Sequence, residues 1–473
     1  MPDASDLNEN VSHIAKNVLP AVNSYIPMPS LQSFTDALPA APKGAFVAQN
    51  KAGSYVVFAA TQTELYKLSG TSWTNVSKAT YTSSGDDNWG FAQFGDNVVA
   101  VQQNTAPQVF DIESDTQFSD LGGSPPQCRY VDVFGDFLVL GGLLDFPKRI
   151  QWSALNDITG WTAGTDSSDF QDFPDGGAVT GFAGGDAGLV LQENAIRRMT
   201  FAPGSGYIFT FDKTEERGTR APWSICRAGE RVFYMAEDGF YVNINGKSAT
   251  IGAERVNRTF FTNLDMDQYW NVLGATDPIH NRIYWSWYSV DNAGNTYNDE
   301  LLIYDWHLDQ WSHSENNIYY VFPAATQGTS LDDLDALGYT LDSLPFSLDS
   351  RIWQGGAPLL AAFNSDNKLA FFDGANMEAT VETPDMQVFK GWRAFVNGVE
   401  PIVDNANAFV AVGTRERLGD TRVWGSESSI EENGVCSVRS SGRYHRFRLR
   451  IPASETWNHA KGVEALAEPD GQR

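Results

Sequence analysis

The sequence predicts an all-β fold: a β-propeller of seven blades, with six or eight as the alternatives, carrying an extended N-terminal arm and an appended C-terminal β domain. Three observations predict it. Helical periodicity is almost absent, and short runs rich in Val, Tyr, Phe and Trp alternate with clusters of Gly, Asp, Asn and Ser, which is the pattern of strands and tight turns. A turn dipeptide followed at once by an apolar strand recurs along the chain. Most of the recurrences lie about 40 to 50 residues apart, the length of a four-stranded blade.

Composition sets the limits within which this fold works. The 473 residues carry 59 Asp and Glu against 33 Lys and Arg, a net charge of -26, while 42% of residues are hydrophobic and 13% aromatic. The apolar share is large enough to build cores. The acidic excess argues against a protein that grips phosphates or anionic lipid, since both need clustered cations. Cys128, Cys226 and Cys436 are odd in number and far apart, so neither a disulfide framework nor a zinc site is expected. The acidic start MPDASDLNEN is unlike a signal peptide, and no apolar run reaches the roughly 18 to 20 residues that span a bilayer.

Residues 1–43 include Pro20, Pro27, Pro29, Pro39 and Pro42 and read as an arm laid over the rest. Residues 44–383 hold the repeat. Gly53-Ser54 precedes YVVFAA, Gly95-Asp96 precedes NVVAV, Gly135-Asp136 precedes FLVL, Gly185-Asp186 precedes AGLVL and Gly229-Glu230 precedes RVFYM; His280-Asn281 and Asp366-Asn367 are variants. Counted at the second turn residue, the intervals are 42, 40, 50, 44, 51 and 86. The last holds either an inserted loop or an eighth blade. A second recurrence places aromatic residues seven to nine positions apart, as in Tyr66 and Trp73, Phe110 and Phe118, Trp152 and Trp161, or Tyr304 and Trp311. That spacing suits rings meeting across a hairpin. Stacked β-sandwiches would also repeat hairpins, without radial symmetry.

The insertion reading has support in the stretch between Thr329 and Gly356, where Leu-Asp couplets surround a proline. Asp332, Asp333, Asp335, Asp342 and Asp349 are its candidate contact residues, on a surface loop or a loop between subunits. Residues 384–473 carry 12 Lys and Arg against 12 Asp and Glu, leaving 21 against 47 ahead of them. All the net acidity therefore precedes the C-terminal β domain. That domain has an arginine-rich strand, with Arg443 ahead of Arg446, Arg448 and Arg450; alternation with Phe447 and Leu449 puts the last three on one sheet face. The readings open for such a cationic face are contact with acidic surfaces of a neighbouring subunit or ring protein, contact with DNA, and plain solvation.

No catalytic constellation stands out. There is no GxSxG turn, phosphate-binding Gly loop or HExxH, and the six histidines lack metal spacing. Acid pairs such as Asp86-Asp87, Glu237-Asp238 and Asp299-Glu300 are expected by chance among 59 carboxylates, and the sialidase Ser-x-Asp-x-Gly-x-x-Trp box does not occur. Residues Asp291 to Asp299 have the letters of a calcium loop without oxygen ligands at alternate positions. The reading is that of a non-enzyme without cofactor or metal.

Several segments together resemble the nozzle or hub protein of short-tailed bacteriophage tails. They are NVLPAVNSYIPMPS with VVFAATQTELYKLSGTSWTNVS, RIQWSALNDITGW, GLVLQENAIRRMTF, GERVFYMAEDGFYV with ATIGAERVNRTFF, DPIHNRIYWSWYS with LLIYDWHLDQWS, and SGRYHRFRLRIP. The resemblance covers roughly residues 15 to 455. It implies a structural virion protein of the tail, assembled in the host cytoplasm as a homo-oligomeric ring, usually a hexamer. The ring would extend the DNA conduit below portal and adaptor and hold tail spikes, fibres or a needle. Double-stranded DNA would pass through its bore without specific binding, which suits an acidic wall. The alternative class is a propeller glycan hydrolase or lectin-like tail-associated protein.

Overall fold

The computed structural model describes residues 1–5, 11–82, 87–185, 187–204, 206–325, 358–404 and 407–471. Among them strands dominate, and the helices are short: Asn257–Asn263 and the 3-10 turns Pro222–Ser224 and Met266–Asn271. Residues 42–75, 90–120, 130–172, 179–215, 226–250 and 273–318 each form four antiparallel strands paired in chain order. These are blades one to six of a β-propeller.

Blade seven is assembled from three parts of the chain. The strand Gln310–Ala325 is shared: its first half pairs with Asn298–Asp305 as the outer strand of blade six, and its second half pairs with Pro358–Asn364 as the inner strand of blade seven. Lys368–Asn376 is the third strand. The fourth comes from the N-terminal segment, whose strands are β1 (Ile14–Lys16), β2 (Val18–Ala21), β3 (Ser24–Pro27) and β4 (Pro29–Ala37); β4 pairs with Lys368–Asn376 and so closes the ring.

Seven apolar cores between neighbouring blades establish that the ring is continuous. Phe58 meets Phe110 between blades one and two, Val99 joins Leu138 in the next core, and Phe137 packs on Phe209 in the third. Leu189 and Tyr234, Phe240 and Trp285, and Ile303 and Leu360 fill the following three. Val57 and Phe363 share the core that joins blade seven to blade one. Indoles both fill these cores and donate across them, as when Trp285 Nε1 of blade six bonds the Ser224 carbonyl ahead of blade five at 2.9 Å and Trp89 Nε1 bonds the Thr61 carbonyl at 2.9 Å.

The turn dipeptides mark a precise place in blades one to six, between the first and second strands. Gly95, Gly135 and Gly229 adopt φ of 60°, 55° and 61° there, where a Cβ would be strained. In blade seven the marker means something else. Asp366-Asn367 joins the second and third strands, with Asn367 at φ 60°, and the connection between the first and second strands is residues 326–357. The interval of 86 therefore holds a long segment at one connection, and the described residues form seven blades. Ala325 and Pro358 are paired, so the segment begins and ends side by side.

The aromatic spacing was partly about hairpins. Tyr304 and Trp311 are direct cross-strand partners with ring centroids 4.5 Å apart, and Phe110 and Phe118 lie at 5.1 Å. Tyr66 and Trp73 are offset, pairing with Asn75 and Leu68. Trp152 and Trp161 are in different cores, on either side of blade three.

The C-terminal part is a two-sheet β-sandwich. One sheet runs β1, Ala379–Glu382, Tyr444–Ile451, Phe409–Arg415 and Val423–Trp424; the other runs β2, β3, Ala460–Pro469, Ala394–Val403 and Cys436–Gly442. Val396, Val399, Val410, Phe447 and Trp457 fill the space between them. The N-terminal segment is thus an integral part of both bodies, and strand Ala379–Glu382 already belongs to the sandwich. Because β1 pairs with Ala379–Glu382 on one side and reaches His313 of blade six on the other, one hydrogen-bonded sheet of 13 strands runs from propeller to sandwich.

Candidate functional site

The arginine strand Tyr444–Ile451 is central in its sheet, and its arginines are paired inside the chain. Arg446 is 3% exposed and lies against Asp385, its Nε 3.5 Å from Oδ1. The Asp385 carboxylate also receives Arg415 and Arg422, the latter at 2.9 Å. Arg448 bonds Glu382 at 2.6 Å while its guanidinium lies 4.1 Å from the Trp424 ring centre. Arg450 bonds Glu427 at 2.7 Å and Glu378 at 3.2 Å and covers Phe409. Pairing with Arg450 holds Glu427 below the usual carboxylate range. Arg443 sits half-buried at the turn before the strand.

The expected free cationic face is therefore corrected. The alternation was right, but four carboxylates of the same chain meet these side chains, and burying arginine without a partner would cost several kcal/mol or more. Glu378, Glu382, Asp385 and Glu427 were missed because they lie elsewhere in the chain, Glu382 on a neighbouring strand and the other three in connections. The one local sign was the acidic spacing in TVETPD, which brings Glu382 and Asp385 beside the arginines. Asp332, Asp333, Asp335, Asp342 and Asp349 lie outside the described residues.

A different convergence of polar groups occurs where the inner strands of blades two to five begin. Trp223, just ahead of blade five, crosses the propeller axis, so that a methyl on Gly90 of blade two would lie 3.9 Å from its ring, and Tyr130 of blade three is 5.9 Å away. Trp270, from the linker between blades five and six, lies under the Lys43 ammonium of blade one at 5.4 Å. Two indoles thus occupy this mouth. Between them and blades two to four is a cavity of about 240 Å³. Asp87, 4% exposed, accepts from the Gln103 amide at 3.3 Å, and Arg129 Nε donates to the Gln103 side chain at 2.7 Å. Burial pushes the Asp87 carboxyl up, against the pull of Arg129. Thr180 lines the same cavity, 8% exposed, and its hydroxyl has no hydrogen-bond partner among the described residues.

A larger cavity of about 650 Å³ separates the N-terminal residues from blade six. Glu300 stands directly across from Glu315, which Lys16 of β1 pairs with. Burial first, then Glu315 and Asp299, push Glu300 up to about 8. Burial pulls His313, on the same face, down to about 4. Asn292 and Asp299, from the calcium-like letters, are engaged in turn hydrogen bonds with Tyr297 and Ser289. Among the described residues no group of His, Cys, Asp and Glu could hold a metal ion.

The chain matches no protein-family model and no curated protein sequence. Its fold is similar to solved structures at low identity. The computationally designed Ika8 protein is 10% identical, with 78% of this chain and 98% of that one covered and a TM-score of 0.39. BamB from Moraxella catarrhalis is 12% identical over 78% of this chain and 95% of its own, TM-score 0.37. YCF48 bound to D1 peptide is 10% identical over 73% and 97%, TM-score 0.39. The propeller assignment rests on the strand pairings and the closed ring of cores.

Proposed function

We propose that this chain is a structural subunit of a ring, the tail nozzle of a short-tailed bacteriophage, as its sequence resemblance implies. The observation that carries the reading is the continuous sheet from blade six through β1 into the sandwich. A subunit that transmits load in a ring gains from having its two bodies joined by backbone hydrogen bonds instead of a linker. The acidic excess supports the same reading, because a wall that repels phosphate lets a duplex slide. The bore in this proposal lies between subunits, since Trp223 and Trp270 fill one mouth of the propeller's own axis. The segment 326–357, with Asp332, Asp333, Asp335, Asp342 and Asp349, is the proposed contact to neighbours or lumen. Adaptor and spike, fibre or needle proteins are the proposed partners.

The test is native mass measurement of the purified chain over a concentration series, with a filter-binding assay on duplex DNA beside it. The proposal expects closed oligomers, six copies being the expected number, and no retention of DNA at physiological salt. A chain that stays monomeric at every concentration and cleaves polysaccharide contradicts it.

A further inference from the structure

We infer that the axial mouth formed by Trp223, Trp270, Asp87, Arg129 and Thr180 is a binding site for one neutral sugar ring. This goes beyond the scaffold role and does not depend on it. The cavity of about 240 Å³ has room for a pyranose and little more. Its walls combine what a sugar needs. Indole faces take the C–H surface of the ring, while a carboxyl, a guanidinium and a hydroxyl take its alternating donor and acceptor groups.

Two features select a neutral polyhydroxylated ligand over an anion. Charges of both signs meet here: Arg129 stands 3.9 Å from Asp87, and Arg220 is engaged by Glu237 at 3.0 Å. A phosphate or a carboxylate would find the cations already compensated, while the Glu193 carboxylate at the cavity wall, which accepts from the Ala178 amide at 3.1 Å, is a further acceptor for ligand hydroxyls. The second feature is the Thr180 hydroxyl, buried beside the cavity with no hydrogen-bond partner among the described residues. A buried hydroxyl left unsatisfied costs about 1–3 kcal/mol, and a ligand hydroxyl would satisfy it as donor or acceptor. Tyr130 packs against Trp223 from one side, its ring tilted 59° at 5.9 Å.

The experiment is saturation-transfer NMR and indole fluorescence titration of the full chain with methyl glycosides of glucose, galactose and mannose and with N-acetylglucosamine. N-acetylneuraminate is the charged comparison. At least one neutral probe should saturate with a Kd of roughly millimolar order, as the small size of the ligand allows. Thr180→Val, which keeps the volume and removes the hydroxyl, should weaken that Kd at least about 10-fold. Trp223→Ala should abolish the fluorescence response, and Trp392→Ala, at an exposed indole outside the mouth, should leave the Kd unchanged. Should Trp223→Ala fail to fold, the Thr180→Val comparison and the wild-type titrations decide. No saturable binding of any neutral probe, preference for N-acetylneuraminate, or binding unchanged in Thr180→Val would each overturn the assignment.

Discussion

Asn17 and Glu378 are joined by a 2.9 Å hydrogen bond from the Asn17 side-chain amide to the Glu378 carbonyl, at the point where the chain enters the sandwich. The other side of the same amide faces the propeller. Its oxygen accepts from the Ser314 hydroxyl at 2.8 Å and the Glu315 amide at 3.1 Å. Asn17 is buried and has φ 55°, a conformation that asparagine tolerates better than other residues with a Cβ. One side chain therefore ties the two bodies together.

Asn17→Ala is expected to cost about 2–4 kcal/mol, from buried groups left unpaired and from backbone strain. Urea denaturation followed by tryptophan fluorescence checks it. The transition should broaden or split as well, because the two bodies lose part of their coupling.

Met28→Ala tests the N-terminal segment from the other direction. Met28 is 1% exposed in the core between blades six and seven, so truncation should cost about 2–5 kcal/mol. If residues 1–43 were an arm laid on the surface, the loss would be a few tenths of that.

Arg446→Ala should destabilise the sandwich by about 3–5 kcal/mol, because it leaves Glu382 and Asp385 with less of their compensating charge. The effect belongs to folding, and a thermal melt of the isolated chain should detect it without any assembly. Arg446→Glu with Arg448→Glu should be worse still.

Glu300 gives a pH prediction with a definite sign. Its folded pKa, about 8, lies above the unfolded 4.5, so the native state holds a proton that the unfolded chain releases. Its contribution is present below pH 4.5 and is lost as pH rises through 8. His313 and the Met1 amino group, lowered to about 4 and about 5, have the opposite slope. The difference between Glu300→Gln and wild type isolates the carboxyl. The melting temperature of the variant should gain on wild type from pH 5 to 8 and level off above.

The repeating part of the fold was legible in sequence because each blade needs the same turn in the same place. Gly95, Gly135 and Gly229 have to reach positive φ, and only a few residues do this cheaply. The closure was not legible. Strand β4 contains PSLQSFTDA, with no turn marker and two prolines bounding it, and its partner Lys368–Asn376 is more than 300 residues away. Nothing local specifies such a pairing. The arginine strand shows the same division: alternation gave the face, while burial and the acids that neutralise it came from one neighbouring strand and from connections outside the arginine strand. At the axial mouth, Trp223 and Trp270 sit in connections ahead of blades five and six, and only the radial arrangement brings them to one axis.

Replacing residues 326–357 with a two-residue turn should leave the unfolding of the isolated chain unchanged, since Ala325 and Pro358 already pair. Under the nozzle proposal the same deletion should impair ring assembly or DNA retention. Normal particles carrying it would remove the contact role of Asp332, Asp333, Asp335, Asp342 and Asp349.

The most direct measurement is electron-microscopy class averaging of tails from particles in which this chain carries a fused tag. The account predicts a closed ring of tagged subunits around an open bore, with each propeller set in the ring wall. Particles without the tag, or tagged chains seen as single peripheral appendages with no ring, would contradict it.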